Sequence, residues 1–123
     1  MTETLWIGLG GFAGALARYW LSGWIAAHAG VVFPFGTFVI NLSGSFALGL
    51  LLALFEQQAG SPAARLALGT GFLGAYTTFS TFTYETIRLI EEGSLLLATL
   101  NVVGSVVLGL GAVLAGVVAG RAL

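Results

Sequence analysis

The residues of this chain that could meet an ion or a substrate are hydroxyls, amides and aromatic rings, and they cluster. The run Tyr76-Thr77-Thr78-Phe79-Ser80-Thr81-Phe82-Thr83-Tyr84 sets Thr and Ser hydroxyls beside Phe rings, and it is entered through the glycine-rich stretch Gly69-Thr70-Gly71-Phe72-Leu73-Gly74. Asn41, Asn101, Ser105, Arg18 and Glu85 stand elsewhere in apolar surroundings. This inventory does not suit catalysis, which needs titratable groups or an activated nucleophile converging in one pocket. The chain has no cysteine, which excludes disulfides and thiolate sites, and its single histidine, His28, lies beside a turn and is assigned no role. Gly8-Leu9-Gly10-Gly11-Phe12-Ala13-Gly14 imitates a nucleotide fingerprint, but no strand precedes it and it lies inside an apolar span. What remains is transport or conduction by a protein that is not an enzyme.

Composition fixes the solvent. With 58% hydrophobic residues, 7% charged residues and a mean hydropathy of +1.02, a chain of 123 residues is too apolar for a soluble domain. It reads as a multi-pass integral membrane protein with the lipid bilayer as its first partner. The net charge is -1, and Arg18, Arg65, Arg88 and Arg121 are the only Lys or Arg residues, so no basic patch exists to bind nucleic acid. Ala27-His28-Ala29 has the small-x-small form of a signal cleavage site, but no Lys or Arg precedes the apolar stretch and Glu3 does, so the first segment is read as retained. Hydroxyls and broken backbone at membrane depth are costly unless they face protein or water, so residues 76–84 are expected to line a path or a binding site.

A membrane-spanning helix needs roughly 20 apolar residues, and the chain offers such stretches at about 4–26, 35–55, 66–88 and 94–120. The links are short. Ala29-Gly30-Val31-Val32-Phe33-Pro34 ends the first span, Glu56-Gln57-Gln58-Ala59-Gly60-Ser61-Pro62 the second and Glu91-Glu92-Gly93-Ser94 the third, with Ser61-Pro62 suited to an N-cap and first helical position. The expected fold is an all-α membrane protein, one four-helix domain over 1–123, with both termini on the same side.

Small residues repeat at one-turn spacing: Gly10 and Gly14, Ser45 and Gly49, Ala67, Gly71 and Ala75, Gly116 and Gly120. In membranes such spacing lets helix backbones approach closely, so tight crossings are expected in more than one span. A unit this small has little interior for a polar path, which makes oligomerisation the default and a two-fold dimer its simplest form. Arg65 and Arg121 lie on the side of the termini and Arg88 on the other, a charge bias too small to orient the chain strongly. An antiparallel dimer and a single fixed orientation both remain open.

The polar residues within spans each allow two roles. The Asn41 amide either holds an anion with its NH2 or joins helices by a hydrogen bond, and Asn101 and Ser105, one turn apart, raise the same question. Arg18 either attracts anions into a wet vestibule or pairs with a carboxylate such as Glu85 or with helix-end carbonyls.

Three runs carry a resemblance that covers essentially the full chain. Gly10-Gly11-Phe12-Ala13-Gly14-Ala15-Leu16-Ala17-Arg18-Tyr19, Gly36-Thr37-Phe38-Val39-Ile40-Asn41-Leu42-Ser43-Gly44-Ser45-Phe46 and Gly71-Phe72-Leu73-Gly74-Ala75-Tyr76-Thr77-Thr78-Phe79-Ser80-Thr81-Phe82 resemble the signature regions of the Fluc (CrcB) family of small fluoride channels. The third run is the most specific, although Ala75 departs from the second glycine often found there. The resemblance implies a broken third helix and an antiparallel dual-topology homodimer with two fluoride pathways. It also implies a central structural Na+ and passive export across a microbial plasma (inner) membrane. By position, Phe79 and Phe82 resemble the rings that meet the ion, Asn41 the pore amide, Ser80 and Thr81 the pore hydroxyls and Arg18 the vestibule cation. The backbone carbonyls of Gly74 and Thr77 would hold the Na+. The rivals are a small dual-topology multidrug exporter, whose proton coupling wants a mid-helix carboxylate that span one lacks, and a structural assembly subunit, which leaves the hydroxyls and paired rings unexplained.

Overall fold

The computed structural model describes residues 1–123 and contains helices without strands. Helix α1 (Thr2–Ala29) stops at Gly30, whose φ of 80° suits a residue without a Cβ. Pro34 then leads into α2 (Phe35–Glu56). After the polar second link, the Ser61 hydroxyl accepts the Ala64 N–H at 3.2 Å, the N-cap that the Ser-Pro pair predicts, and opens α3 (Pro62–Arg65). The chain widens into a π-helical stretch, Leu66–Leu73, and tightens again into α4 (Gly74–Tyr76). Thr77 and Thr78 are extended, helix resumes as α5 (Phe79–Glu91), and α6 (Leu95–Ala122) completes the chain.

The helices meet where side chains are smallest. Helices α2 and α6 run in the same direction along one another, and a Cβ added at Gly116 would run into the Phe46 carbonyl oxygen of α2. Helix α1 lies against the π-helical stretch, where a Cβ at Gly14 would strike the Phe72 carbonyl oxygen. Backbone therefore touches backbone at both crossings, the contact that small residues permit in a medium where burial of apolar surface gives no advantage. The core proper is modest: Ile40, Leu73 and Tyr76 are buried together, with Ala17, Leu21 and Phe72 packed around them. At the end holding the C-terminus, Gln57 Nε2 donates to the Gly120 carbonyl at 2.8 Å and Arg121 meets Glu56 at 3.5 Å, which fastens α2 to α6.

The surface shows what surrounds the chain. Its accessible area is 7555 Å², whereas a soluble monomer of 12.6 kDa exposes about 6,200 Å². Helices α2 and α6 are long and apolar enough to cross a membrane, and only 6% of the most apolar stretch of α6 is buried within the chain. A helix apolar all round and uncovered by its own chain faces lipid or another protein. The protein is a helical integral membrane protein. Helix α1 has the length to span but is diluted by glycine, serine and Arg18, and the third stretch is divided among several short elements, so neither forms an uninterrupted apolar helix of the same kind.

Overpacking a tight core costs roughly 1–3 kcal/mol, and a collision with backbone lies at the upper end because main chain cannot rotate away. Gly116→Val is expected to lower the thermal midpoint of the detergent-solubilised protein sharply. Gly8→Val, where a Cβ meets nothing within 4 Å, should leave it unchanged; equal midpoints would show that the α2–α6 contact is looser than described.

Candidate functional site

The site is built around the interruption between α4 and α5. Thr77 (φ -79°, ψ 154°) and Thr78 (φ -147°, ψ 120°) adopt β conformations, which their branched side chains favour over helix. Leaving the helix strands backbone groups on both sides. Thr77 turns both its N–H and its hydroxyl to the Leu73 carbonyl, at 3.1 and 3.0 Å. The Thr78 hydroxyl accepts the Thr81 N–H at 3.3 Å and donates to Thr81 Oγ1 at 3.0 Å, which makes Thr78 the N-cap of α5.

Asn41 closes the gap from α2. Its Oδ1 accepts the Thr78 N–H at 2.8 Å, and its Nδ2 donates to the Thr78 carbonyl at 3.0 Å. The amide thus replaces, at one residue, both bonds that a continuous helix would supply, and one Nδ2 hydrogen stays free of protein partners. The interhelical hydrogen bond is formed without using up the donor that an anion would need. Beside it, the Tyr76 hydroxyl meets Ser43 Oγ at 2.9 Å and the Tyr76 ring stacks on Phe72, so the residue before the break is held from two directions.

Because the Thr78 N–H goes to Asn41, the Gly74 carbonyl loses its helical donor, and no donor in the chain reaches the Gly74 or Thr77 carbonyl oxygens. Both residues border an open groove of about 320 Å³ that also touches Asn41, Ser45, Thr78 and Phe79. Phe79 and Ser80 open α5, where the first N–H groups of a helix have no intrahelical acceptor.

Phe79 and the hydroxyls of Ser80 and Thr81 lie on the outside of the single chain, while Phe82 is half-buried. Phe79 is 76% exposed, and its centroid is 5.8 Å from that of Phe82 with the planes tilted by 47°. Ser80 and Thr81 are exposed, and Ser80 Oγ lies 3.5 Å from Thr78 Oγ1. Asn41, Phe79, Phe82, Ser80 and Thr81 are therefore brought to one place. Arg18 is not: it is half-buried on α1, borders none of the groove and makes neither an ion pair nor a hydrogen bond within the chain. The Arg18–Glu85 pairing weighed from sequence does not form. Glu85 Oε1 instead accepts the Thr37 hydroxyl at 2.9 Å, because Thr37 lies on the face of α2 that meets α5. Asn101, 1% exposed, donates to Thr86 Oγ1 at 3.0 Å, and the Ser105 hydroxyl is buried without a partner. Sequence reasoning gives no role to Thr37 or Thr86 and includes Thr78 only as a member of the polar run 76–84. Only Thr78 had a local signal, since Thr-x-x-Thr in mid-span is a helix start where a helix should be continuing.

The chain has relatives of known family. The chain matches the family described as CrcB-like protein, Camphor Resistance (CrcB), over residues 5–117. Among its relatives, the fluoride-specific ion channel FluC of Acidobacterium capsulatum is 50% identical over 118 residues, covering 95% of this chain and 94% of the relative. The protein of the same name from Geotalea daltonii is 45% identical over 122 residues, 98% of both chains. FluC 1 of Methanosarcina acetivorans is 48% identical over 117 residues, 94% of this chain and 88% of the relative. The chain belongs to the CrcB family, a family of membrane channels and not of enzymes.

The clamp makes a stability prediction. Asn41→Ala leaves the Thr78 N–H and carbonyl without partners, at roughly 1–3 kcal/mol for each buried group, whereas Asn41→Asp keeps the acceptor and loses only the donor. Thermal midpoints are expected to fall in the order Asn41, Asp, Ala, with faster amide exchange at Thr78 in the Ala variant. Unchanged exchange at Thr78 would remove the clamp from the account.

Proposed function

We propose that this protein is a fluoride channel that lets the ion leave the cytoplasm of a microbial cell down its gradient, and that it works as an antiparallel homodimer with two pathways. The observation that carries the reading is the placement of Phe79, Ser80 and Thr81 on the outer surface of one chain beside the Asn41–Thr78 clamp. An ion path cannot have lipid for one wall, so a second copy must complete it. The names of the relatives supply the ion.

The chemistry suits a small, strongly hydrated anion. A pore must replace its water shell with donors, and the site offers the free Nδ2 hydrogen of Asn41, the hydroxyls of Ser80 and Thr81, and the first N–H groups of α5, which a helix leaves without intrahelical acceptors. The electropositive edges of the Phe79 and Phe82 rings add attraction without a hydrogen-bond donor. Arg18, half-buried and free of any partner in the chain, is placed in this reading at a vestibule, where it draws anions towards the pore.

The Gly74 and Thr77 carbonyl oxygens fit a hard monovalent cation, since neither has a donor in its own chain and both border the open groove. In the proposed dimer these carbonyls from both copies hold Na+ at the two-fold axis. Such an ion supplies positive charge that screens carbonyl from carbonyl at the centre.

In liposomes, the wild-type protein is expected to release fluoride and to retain chloride. Phe79→Ile and Phe82→Ile keep bulk but lose the electropositive ring edge, and each is expected to cut fluoride efflux on the order of tenfold or more while the dimer elutes normally. Full efflux from both variants would remove the rings from the mechanism, and equal release of chloride would remove fluoride selectivity.

Dual orientation is tested by charge. Arg65 and Arg121 nearly balance Arg88, so a few Lys residues added to one link should turn every chain one way and abolish the antiparallel dimer. Function is expected to collapse in each biased variant and to return when two oppositely biased variants are coexpressed. A biased variant that conducts alone would establish a parallel assembly.

A further inference from the structure

Helix α5 carries both rings, yet only the extended Thr77-Thr78 joins it to α4. Its position depends on polar ties to two neighbours. From α2, Asn41 holds Thr78, and the Thr37 hydroxyl, one turn earlier on the same helix, donates to Glu85. From α6, Asn101 Nδ2 donates to Thr86 Oγ1 at 3.0 Å, and the Thr86 hydroxyl donates to the Phe82 carbonyl at 2.8 Å.

Asn101 and Ile40 are the largest fully buried side chains of the molecule. An apolar residue in the place of Asn101 would fill the same space without the cost of desolvating an amide. Apolar contacts between helices leave sliding and rotation weakly determined, whereas a hydrogen bond at 3.0 Å fixes both. The chain of bonds ends on the carbonyl of Phe82, the main-chain unit from which one ring of the pair projects.

We infer that Asn101 is a positioning residue for the ring pair: through Thr86 it sets the rotation and register of α5, and so the placement of Phe79 and Phe82 against Asn41. This rests on the reading of the site as a fluoride pathway. It gives the buried amide of α6 a task in conduction although it touches no ion.

The test compares Asn101→Leu, Thr86→Val, Thr86→Ser and the Asn101→Leu/Thr86→Val double variant as purified dimers in liposomes. Misplacing a group by about 1 Å costs on the order of a hundredfold in rate in well-organised sites, so losses of tenfold or more are expected for Asn101→Leu and Thr86→Val. Thr86→Ser keeps the hydroxyl and should retain most of the flux, and the double variant should lose no more than the worse single one. Fluorine NMR of 4-fluorophenylalanine placed at position 82 should shift in Asn101→Leu and Thr86→Val but not in Thr86→Ser. If Asn101→Leu does not fold, the Thr86→Val and Thr86→Ser pair decides the matter alone. Wild-type flux per folded dimer with an unmoved fluorine signal would overturn the positioning role and leave the channel reading intact. A wild-type protein that passes no fluoride would overturn both.

Discussion

The reciprocal pair between the Asn41 amide and the Thr78 backbone is the interaction on which the rest of the site depends. A helix interrupted at membrane depth exposes donors and acceptors that have no water to turn to, and each left bare costs several kcal/mol. Asn41 supplies an acceptor and a donor at the separation that one peptide presents, 2.8 and 3.0 Å, and so makes the interruption affordable. Only a carboxamide does this. An aspartate lacks the donor and a serine lacks the reach and the second atom. Everything the interruption provides, including the free carbonyls of Gly74 and Thr77 and the open start of α5, follows from that one side chain.

Two kinds of contact divide the labour of the fold. Along the α2–α6 and α1–π crossings, backbone lies on backbone through Gly116 and Gly14, which brings the helices close. These contacts are strong in dispersion but say little about register, since a smooth surface of small residues looks much the same when displaced. Register comes from sparse polar bonds: Gln57 to Gly120 between α2 and α6, and Asn41 to Thr78, Thr37 to Glu85 and Asn101 to Thr86 around α5. Three of these four end on the segment from Thr78 to Thr86, which carries the rings. Ala75 fits within α4, and the interruption falls after it.

Much of this could be read from the amino-acid sequence, and what could not has physical reasons. Membrane embedding, the absence of enzyme chemistry and the family follow from composition and from three ordered motifs, because they depend on residue type and local order alone. The polar run that carries Phe79, Ser80, Thr81 and Phe82 was legible for the same reason. The partners of buried polar groups were not. Glu85 could have met Arg18, and it met Thr37, because partner choice depends on the rotation of one helix against another, which small-residue packing leaves undetermined. The same ignorance of rotation hid the Asn101–Thr86 bond between residues 15 positions apart. The π-helical stretch Leu66–Leu73 has no sequence mark at all, since the same residues would serve an α-helix of slightly different rise.

Phe79 is mostly uncovered in the single chain while the Asn41 clamp behind it is half-buried, so the proposed path runs along a seam between copies and not through the middle of one. A seam that lies off the two-fold axis occurs in duplicate, and each copy then gives its rings to one path and its other surfaces to the partner's. Fluoride is too small for a wide pore to recognise, and a seam narrows simply by packing. The selectivity of the proposed channel therefore depends on how tightly the dimer closes as much as on which residues face the ion. In this view the small-residue crossings, the clamp and the relay from Asn101 serve one requirement: a chain whose outer surface is rigid enough to form half of a binding site.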